Sequence, residues 1–319
     1  MARRETIEME PQTLDEMMGG GSARSDLEKA FGKYGVVVMP ADAAAPILTP
    51  PVRSALHSWL FEMNVEDELK VVGLKPRNRC LLSGPPGCGK TTLAHHITAR
   101  LGVPMVVIQS AEIIGMYLGE SARNLSRLFR EARRGRYDVA LFFDEFDALA
   151  KSREGLGSEG ADNERTNITI TLLQEFDKFD GLLFAATNVT KTIDPAIWRR
   201  FQLQIEIGFP GWEERFAIVR MYLAPFMVAD ETIGALAEIF DEASPALIRE
   251  ACESIKRAIV LGPRMNLPTD LPTILARIAA SSAPSEGMPV PLLWAEPRTA
   301  MNRVKSTPWP PELQGGKHG

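Results

Sequence analysis

Cysteine, histidine and the aromatic residues are scarce in this chain, which has three cysteines, four histidines and 7% aromatics among 319 residues. Cys80, Cys88 and Cys252 are unevenly spaced and share no paired ligand spacing, which argues against a disulfide-stapled scaffold and a zinc site. A reducing compartment is expected. No stretch approaches the ~20 apolar residues of a membrane-spanning helix. The chain opens Met1-Ala2-Arg3-Arg4 and continues acidic rather than apolar, so membrane insertion is not expected and a cytoplasmic location is. An excess of positive charge is missing too. Lysine and arginine number 36 against 41 acids, a net charge of −5, which removes any chain-wide attraction to nucleic acid. Neither an H-E-x-x-H zinc motif nor a G-x-S-x-G nucleophile turn occurs, so no peptidase is supplied.

What is present is ordinary globular composition, 45% hydrophobic and 24% charged, over a length that suits one sizeable core and a smaller second one. Gly19-Gly20-Gly21-Ser22 lies between charged segments, and residues 1–51 read as an N-terminal arm, partly disordered. After Pro50-Pro51, the spacing of Val52, Leu56, Trp59, Leu60, Met63 and Leu69 predicts a helix. Five apolar runs then follow, at Cys80–Ser83, Met105–Gln109, Val139–Phe143, Leu182–Ala186 and Leu203–Ile207, separated by segments of helical periodicity. This alternation predicts an α/β fold, a five-stranded, mainly parallel sheet with helices on both faces, over residues 52–210. From 211 to 262 the pattern is helical only. Leu247, Ile248, Ala251, Ile255, Ala258 and Ile259 form one apolar stripe, and Ser244-Pro245 is a plausible cap and first-turn proline. Residues 263–319 read as a proline-rich, loosely packed tail with one helix around 271–280.

Gly84-Pro85-Pro86-Gly87-Cys88-Gly89-Lys90-Thr91 fits G-x-x-x-x-G-K-T between a predicted strand and a predicted helix, the context that gives the pattern physical meaning. Glycines let backbone N–H groups wrap a nucleotide's phosphates, and the helix N-terminus adds partial positive charge. Lys90 is placed to reach the β- and γ-phosphates and the Thr91 hydroxyl to coordinate Mg2+, with Thr92 following on the same turn. The apolar run Leu141-Phe142-Phe143 ends in Asp144-Glu145, 54 residues after Lys90. Asp144 is expected to hold the magnesium shell and Glu145 to polarise an attacking water, the positioning work on which phosphoryl transfer depends. Asp147 reads as structural.

On these residues the stretch from about Val52 to Leu261 resembles the AAA ATPases, with likeness to the spastin and katanin severing branch and to stand-alone bacterial members. The resemblance implies a P-loop NTPase large subdomain at 52–210, a helical lid subdomain at 211–262, and ATP as substrate. Ala186-Thr187-Asn188 matches the family's A-T-N, which makes Asn188 the hydrolysis sensor. Asp194-Pro195-Ala196-Ile197-Trp198-Arg199-Arg200-Phe201 is similar to the segment carrying arginine fingers, which act on the neighbouring subunit's nucleotide. Many members read D-P-A-x-x-R-P-G-R-F, and the missing Pro-Gly spacer leaves the choice between Arg199 and Arg200 open. Ser244-Pro245-Ala246 matches the form of the family without a sensor arginine at the head of the lid helix.

Gly115-Met116-Tyr117-Leu118-Gly119-Glu120-Ser121 resembles the family's first pore loop, in which Tyr117, flanked by Met116 and Leu118, would grip a polypeptide in the channel of a homo-hexamer. The resemblance thus implies ATP-driven remodelling or unfolding of a protein. The alternative is a nucleotide-dependent switch or assembly factor that threads nothing. Proteolysis would require a separate protease or adaptor, for which the arm or the tail, with Trp294 and Trp309 as anchors, offers docking ground. A second pore loop within 152–166 and an inter-subunit signalling turn at Asp180-Gly181 are weaker resemblances.

Overall fold

The computed structural model describes residues 20–115, 119–134, 138–150 and 159–313. They form two compact units, one of residues 20–46, 51–84 and 90–207, the other of 47–50, 85–89 and 208–313.

The first unit runs α1 (Gly20–Phe31), β1 (Gly35–Val38), α2 (Pro50–Asn64), α3 (Glu66–Val71), β2 (Arg79–Ser83), α4 (Lys90–Arg100), β3 (Met105–Ile108), α5 (Ser110–Ile113), α6 (Glu120–Arg133), β4 (Ala140–Phe143), α7 (Glu159–Lys178), β5 (Leu183–Thr187), α8 (Pro195–Trp198) and β6 (Leu203–Glu206). Six strands form one sheet in the order β1-β3-β4-β5-β2-β6. All pairs are parallel except β1, which runs antiparallel to β3 with Val36 opposite Val107. Every residue of β4 and β5 is buried, which is why these strands are continuous apolar runs instead of alternating ones. Each of the five predicted runs is a strand to within a residue or two.

The sixth strand corrects the reading of residues 1–51 as an arm. Leu27, Phe31, Tyr34 and Val37, contributed by α1, β1 and their connection, are buried in the same cluster as the sheet. Gly35 begins β1 because a Cβ there would lie 1.9 Å from the Val107 carbonyl oxygen. Four residues with one open face, Val36 being half exposed, carry little periodicity to detect.

Beneath the sheet Phe129, Phe143, Phe146, Phe176 and Phe201 pack ring against ring at centroid distances of 5.7–6.5 Å, mostly in tilted or edge-on pairs, which aromatic quadrupoles favour. Trp59 of α2 packs edge-on against Phe184 and donates its indole N–H to the Arg77 carbonyl at 2.6 Å. Glu62, one turn on, accepts from the Arg77 backbone at 2.7 Å and from its guanidinium, so α2 is tied to the segment that enters β2.

The second unit contains α9 (Trp212–Leu223), β7 (Phe226–Met227), α10 (Asp230–Ile239), α11 (Pro245–Leu261), α12 (Leu271–Ser281), α13 (Leu292–Ala295), α14 (Pro297–Val304) and β8 (Glu312–Leu313). Ser244 caps α11 by accepting from the Leu247 N–H at 3.3 Å, with Pro245 in the first turn. Arg215 is buried and donates to the carbonyls of Ala237 and Pro210, both at 2.8 Å.

The reading of 263–319 as a loose tail is also corrected. Leu271, Ile274, Leu275, Ile278, Leu293, Ala300 and Val304 are buried in the same core as α9 to α11. Trp294 and Trp309 pack against that core and spend their indole N–H groups on Ser282 and Thr269 carbonyls, each at 2.7 Å, so they are packing residues and not free anchors.

None of the three cysteines is in a disulfide, and all three are buried. Burial pushes the Cys252 thiol up to about 12 and the Cys80 thiol further up, so both stay protonated at neutral pH. Among the described residues no helix is long and apolar enough to cross a membrane, and no cluster of His, Cys, Asp and Glu is arranged to hold a metal ion.

Candidate functional site

The carboxyl end of β2 feeds the glycine-rich loop, and β2 lies between β5 and β6. In open α/β sheets ligands bind outside the carboxyl ends of the strands, where the order of connection reverses. Gly84 leaves β2 at φ 143°, a backbone conformation closed to other residues, and a Cβ there would lie 2.0 Å from the Ile207 carbonyl oxygen. Gly87 and Gly89 also take positive φ, 75° and 88°. The loop's backbone thus follows a course that only its glycines permit, and α4 begins at Lys90, presenting its first-turn N–H groups.

Lys90, the first residue of α4, is buried and directs its ammonium at the Gly84 carbonyl, 2.8 Å, and at Asn188 Oδ1, 2.7 Å. Thr91 donates its hydroxyl to Asp144 Oδ2 at 3.1 Å. These two contacts draw together the residues after β2, β4 and β5 that the motifs single out. Thr92 is exposed and enters none of these contacts. Asp144 is half-buried, and its Oδ1 accepts from the Glu145 N–H at 3.0 Å. Glu145 is exposed in the left-handed region, φ 48° and ψ 46°, a conformation that costs a non-glycine residue on the order of 1–3 kcal/mol and gathers at functional sites. Ser110, at the head of α5, donates its hydroxyl to the Asp144 carbonyl at 3.0 Å and thereby buttresses that turn.

Asp147, which reads as structural in the sequence, is tied to the turn after β5. Its Oδ1 accepts from the buried Thr187 hydroxyl at 3.0 Å, and the same hydroxyl accepts from the Val189 N–H at 3.0 Å. Asn188 lies between those two anchored residues, so Asp147 holds the turn that presents it. The acids at two-residue spacing after β4 were visible, but the partner 40 residues on was not.

The family model for the ATPase family associated with various cellular activities (AAA) matches residues 80–209, from β2 to just beyond β6. Residues 80–209 are thus an AAA-family ATPase domain. The chain is 43% identical over 142 residues to an uncharacterised AAA-family ATPase of Sinorhizobium fredii, covering 44% of this chain and 42% of that protein. Similarity to a proteasome-activating nucleotidase of Sulfurisphaera tokodaii is 34% over 222 residues, 67% of this chain and 56% of the other. An ATP-dependent zinc metalloprotease FtsH of Pseudomonas putida is 40% identical over 218 residues, 66% of this chain and 34% of the relative. The chain thus spans between about a third and just over half of the length of these relatives.

The remaining AAA-type segments divide in two. Asp194 caps α8 by accepting from the Ala196 N–H at 2.8 Å, with Pro195 in the first turn, and the helix ends at Arg199. Arg199 is exposed, whereas Arg200 is half-buried and ion-paired with Asp177. Asp180 and Gly181 form the turn before β5, held by Asn78 Nδ2 at 2.8 and 3.2 Å. Met116, Tyr117 and Leu118 lie outside the described residues, as do 151–158 of the second candidate loop. Arg249 pairs with Glu253 on the solvent side of α11, at 2.8 Å, in keeping with a segment that lacks a sensor arginine.

Proposed function

We propose that this AAA chain binds ATP with magnesium, hydrolyses it, and uses the cycle in a homo-hexameric ring to remodel or unfold a protein. The observation that supports hydrolysis best is the convergence of Lys90, Thr91, Asp144 and Asn188 through contacts of 2.7–3.1 Å at the carboxyl ends of three neighbouring strands. A hydroxyl and a carboxylate oxygen side by side suit a hard cation that takes oxygen ligands, so Thr91 and Asp144 would hold magnesium. Bound there, the ion would neutralise charge on the phosphate oxygens. Gly87, Cys88 and Gly89 offer backbone N–H groups to the phosphates, Gly84 and the two prolines Pro85 and Pro86, which carry no N–H, shape the loop around them, and Thr92 closes the binding segment. Lys90 exchanges its contacts with Gly84 and Asn188 for phosphate oxygens. Glu145 polarises the attacking water and Asn188 orients it, each fixed by the turn that carries it.

The segment that follows the Arg199-Arg200 pair meets the sheet at the end of β2 opposite the glycine-rich loop. Gln202 accepts from the Asn78 N–H at 3.0 Å, so the segment sits where β2 begins, and Gly84 lies at the other end of β2, about 16 Å along the strand at ~3.3 Å per residue. An arginine that acts from there acts on another subunit's nucleotide, which is the reason for proposing a ring. Gripping of the substrate is assigned to Met116, Tyr117 and Leu118 on sequence resemblance alone. The names of two relatives, a proteasome-activating nucleotidase and a zinc metalloprotease, support a protein as the thing acted on, with any peptidase or adaptor a separate partner.

The test is steady-state ATPase and unfolding of a folded fluorescent reporter bearing an unstructured tail. Glu145→Gln should bind ATP normally and hydrolyse it about 10²–10³-fold more slowly. Tyr117→Ala should keep ATPase activity and lose unfolding. Hydrolysis undiminished in Glu145→Gln would overturn the catalytic assignment. Remodelling that survives Tyr117→Ala would favour the switch reading instead.

A further inference from the structure

Ser110 is a buried polar side chain to which the proposed hydrolysis assigns no part. Its hydroxyl donates to the Asp144 carbonyl at 3.0 Å and reaches the Glu145 carbonyl at 3.4 Å. Those two carbonyls belong to the peptide units on either side of the Glu145 Cα, so one shared O–H bears on both backbone torsions of Glu145. That residue needs a hold. Among the described residues of the first unit it is the only non-glycine at positive φ, in the left-handed region that L side chains disfavour. Asp144 Oδ1 also accepts from the Glu145 N–H, but the Asp144 carboxylate is the group proposed for magnesium. Ser110 stands outside that exchange. It is itself fixed, since the Gln109 N–H just before it donates to the Tyr34 carbonyl at 3.2 Å. At the other end of α5, Ile113 is fully buried, and its carbonyl accepts from Asn124 Nδ2 at 3.2 Å. The Gly115 N–H donates to the buried Ser121 hydroxyl at 3.1 Å, so α5 is tied to α6 as well.

We propose that Ser110 is a positioning residue for hydrolysis, which grips the two peptide units flanking Glu145 and so aims that carboxylate from a left-handed backbone. A carboxylate that polarises water works only from the right place, and a misplacement of about 1 Å costs on the order of 10²-fold in rate. The Ser110 hydroxyl meets backbone carbonyls, so it holds geometry and relays no proton. Because α5 is anchored at both ends, the hydroxyl cannot follow the turn if the turn relaxes. The contact therefore acts as a fixed stop.

The role rests on Glu145 as the residue that polarises water, and the test separates the two. With the full chain, kcat and KM for ATP and thermal melts are measured for Ser110→Ala, Ser110→Cys and Ser110→Thr, and for Ser110→Ala combined with Glu145→Gln. Ser110→Ala should lower kcat on the order of 10–100-fold with KM little changed. Ser110→Thr, which keeps the hydroxyl, should retain most activity, and Ser110→Cys, with its weaker donor, should fall between. In the Glu145→Gln background Ser110→Ala should slow the residual hydrolysis by no more than about twofold, because misplacing a group that no longer acts removes little more. A loss of the same size in both backgrounds overturns the proposal by making Ser110 act independently of Glu145. So does a change confined to KM, or a Ser110→Thr chain that melts normally yet is as slow as Ser110→Ala. Should Ser110→Ala fail to fold, Ser110→Cys carries the same comparison. Full hydrolysis in Glu145→Gln sinks the catalytic assignment and the positioning role with it. A slow Glu145→Gln beside an unimpaired Ser110→Ala sinks the positioning role alone.

Discussion

Asp147 and Thr187 show how side chains outside a proposed site can fix a residue within it. The Thr187 hydroxyl is buried and used twice, as donor to Asp147 and as acceptor for the Val189 N–H, so both ends of the Asn188 turn are fixed by one oxygen. Removing the carboxylate leaves a buried hydroxyl without its acceptor, a loss of about 1–3 kcal/mol. We expect Asp147→Ala to lower kcat about tenfold or more through misplacement of Asn188, with KM for ATP nearly unchanged, and Asp147→Asn, which keeps an acceptor oxygen, to retain most activity. Steady-state kinetics of the two variants beside thermal melts checks this. Equal losses in both, or a change confined to KM, would contradict a positioning role.

At the scale of elements, α7 joins the turn after β4 to the segment before β6. Phe176, in its last turns, contacts Phe129, Phe143, Phe146 and Phe201, which belong to α6, β4, the turn after β4 and the segment before β6. Phe176→Ala should destabilise the unit by about 3–5 kcal/mol in urea unfolding, and Phe61→Ala, on an exposed position of α2, by no more than about 0.5 kcal/mol. A loss under ~1 kcal/mol at Phe176 would mean that the ring cluster is loosely packed. The elements were legible in sequence where burial on both faces wrote an unbroken apolar run, as in β4 and β5. They were obscured where an edge strand was short, as in β1, and where prolines marked starts that read as breaks. Pro297 opens α14 in this way, and Pro291 immediately precedes α13. The site divides similarly. Lys90, Thr91, Asp144 and Asn188 follow from motif order and strand ends, while the pairing of Asp147 with Thr187 and of Arg200 with Asp177 joins residues 40 and 23 apart, for which no local pattern exists.

For the molecule as a whole, the boundary of the α/β unit matters most, because a reading from sequence would begin it near residue 52. Leu27, Phe31, Tyr34 and Val37 are each at most 4% exposed, and β1 covers the outer edge of β3. Each such side chain contributes on the order of 1.5–3 kcal/mol when buried, so the four together are comparable to the ~5–15 kcal/mol that holds a whole domain folded. Loss of β1 would also leave β3 as a bare edge beside exposed apolar side chains, a template for association between chains. A variant that begins at residue 39 should therefore accumulate as insoluble protein or unfold at low temperature, and its ATPase activity should be lost with the fold. Soluble yield, circular dichroism and ATP turnover measured together would show this. A soluble, cooperatively melting and active truncation would mean that α1 and β1 are an appendage, and that the sheet closes at β3 without them.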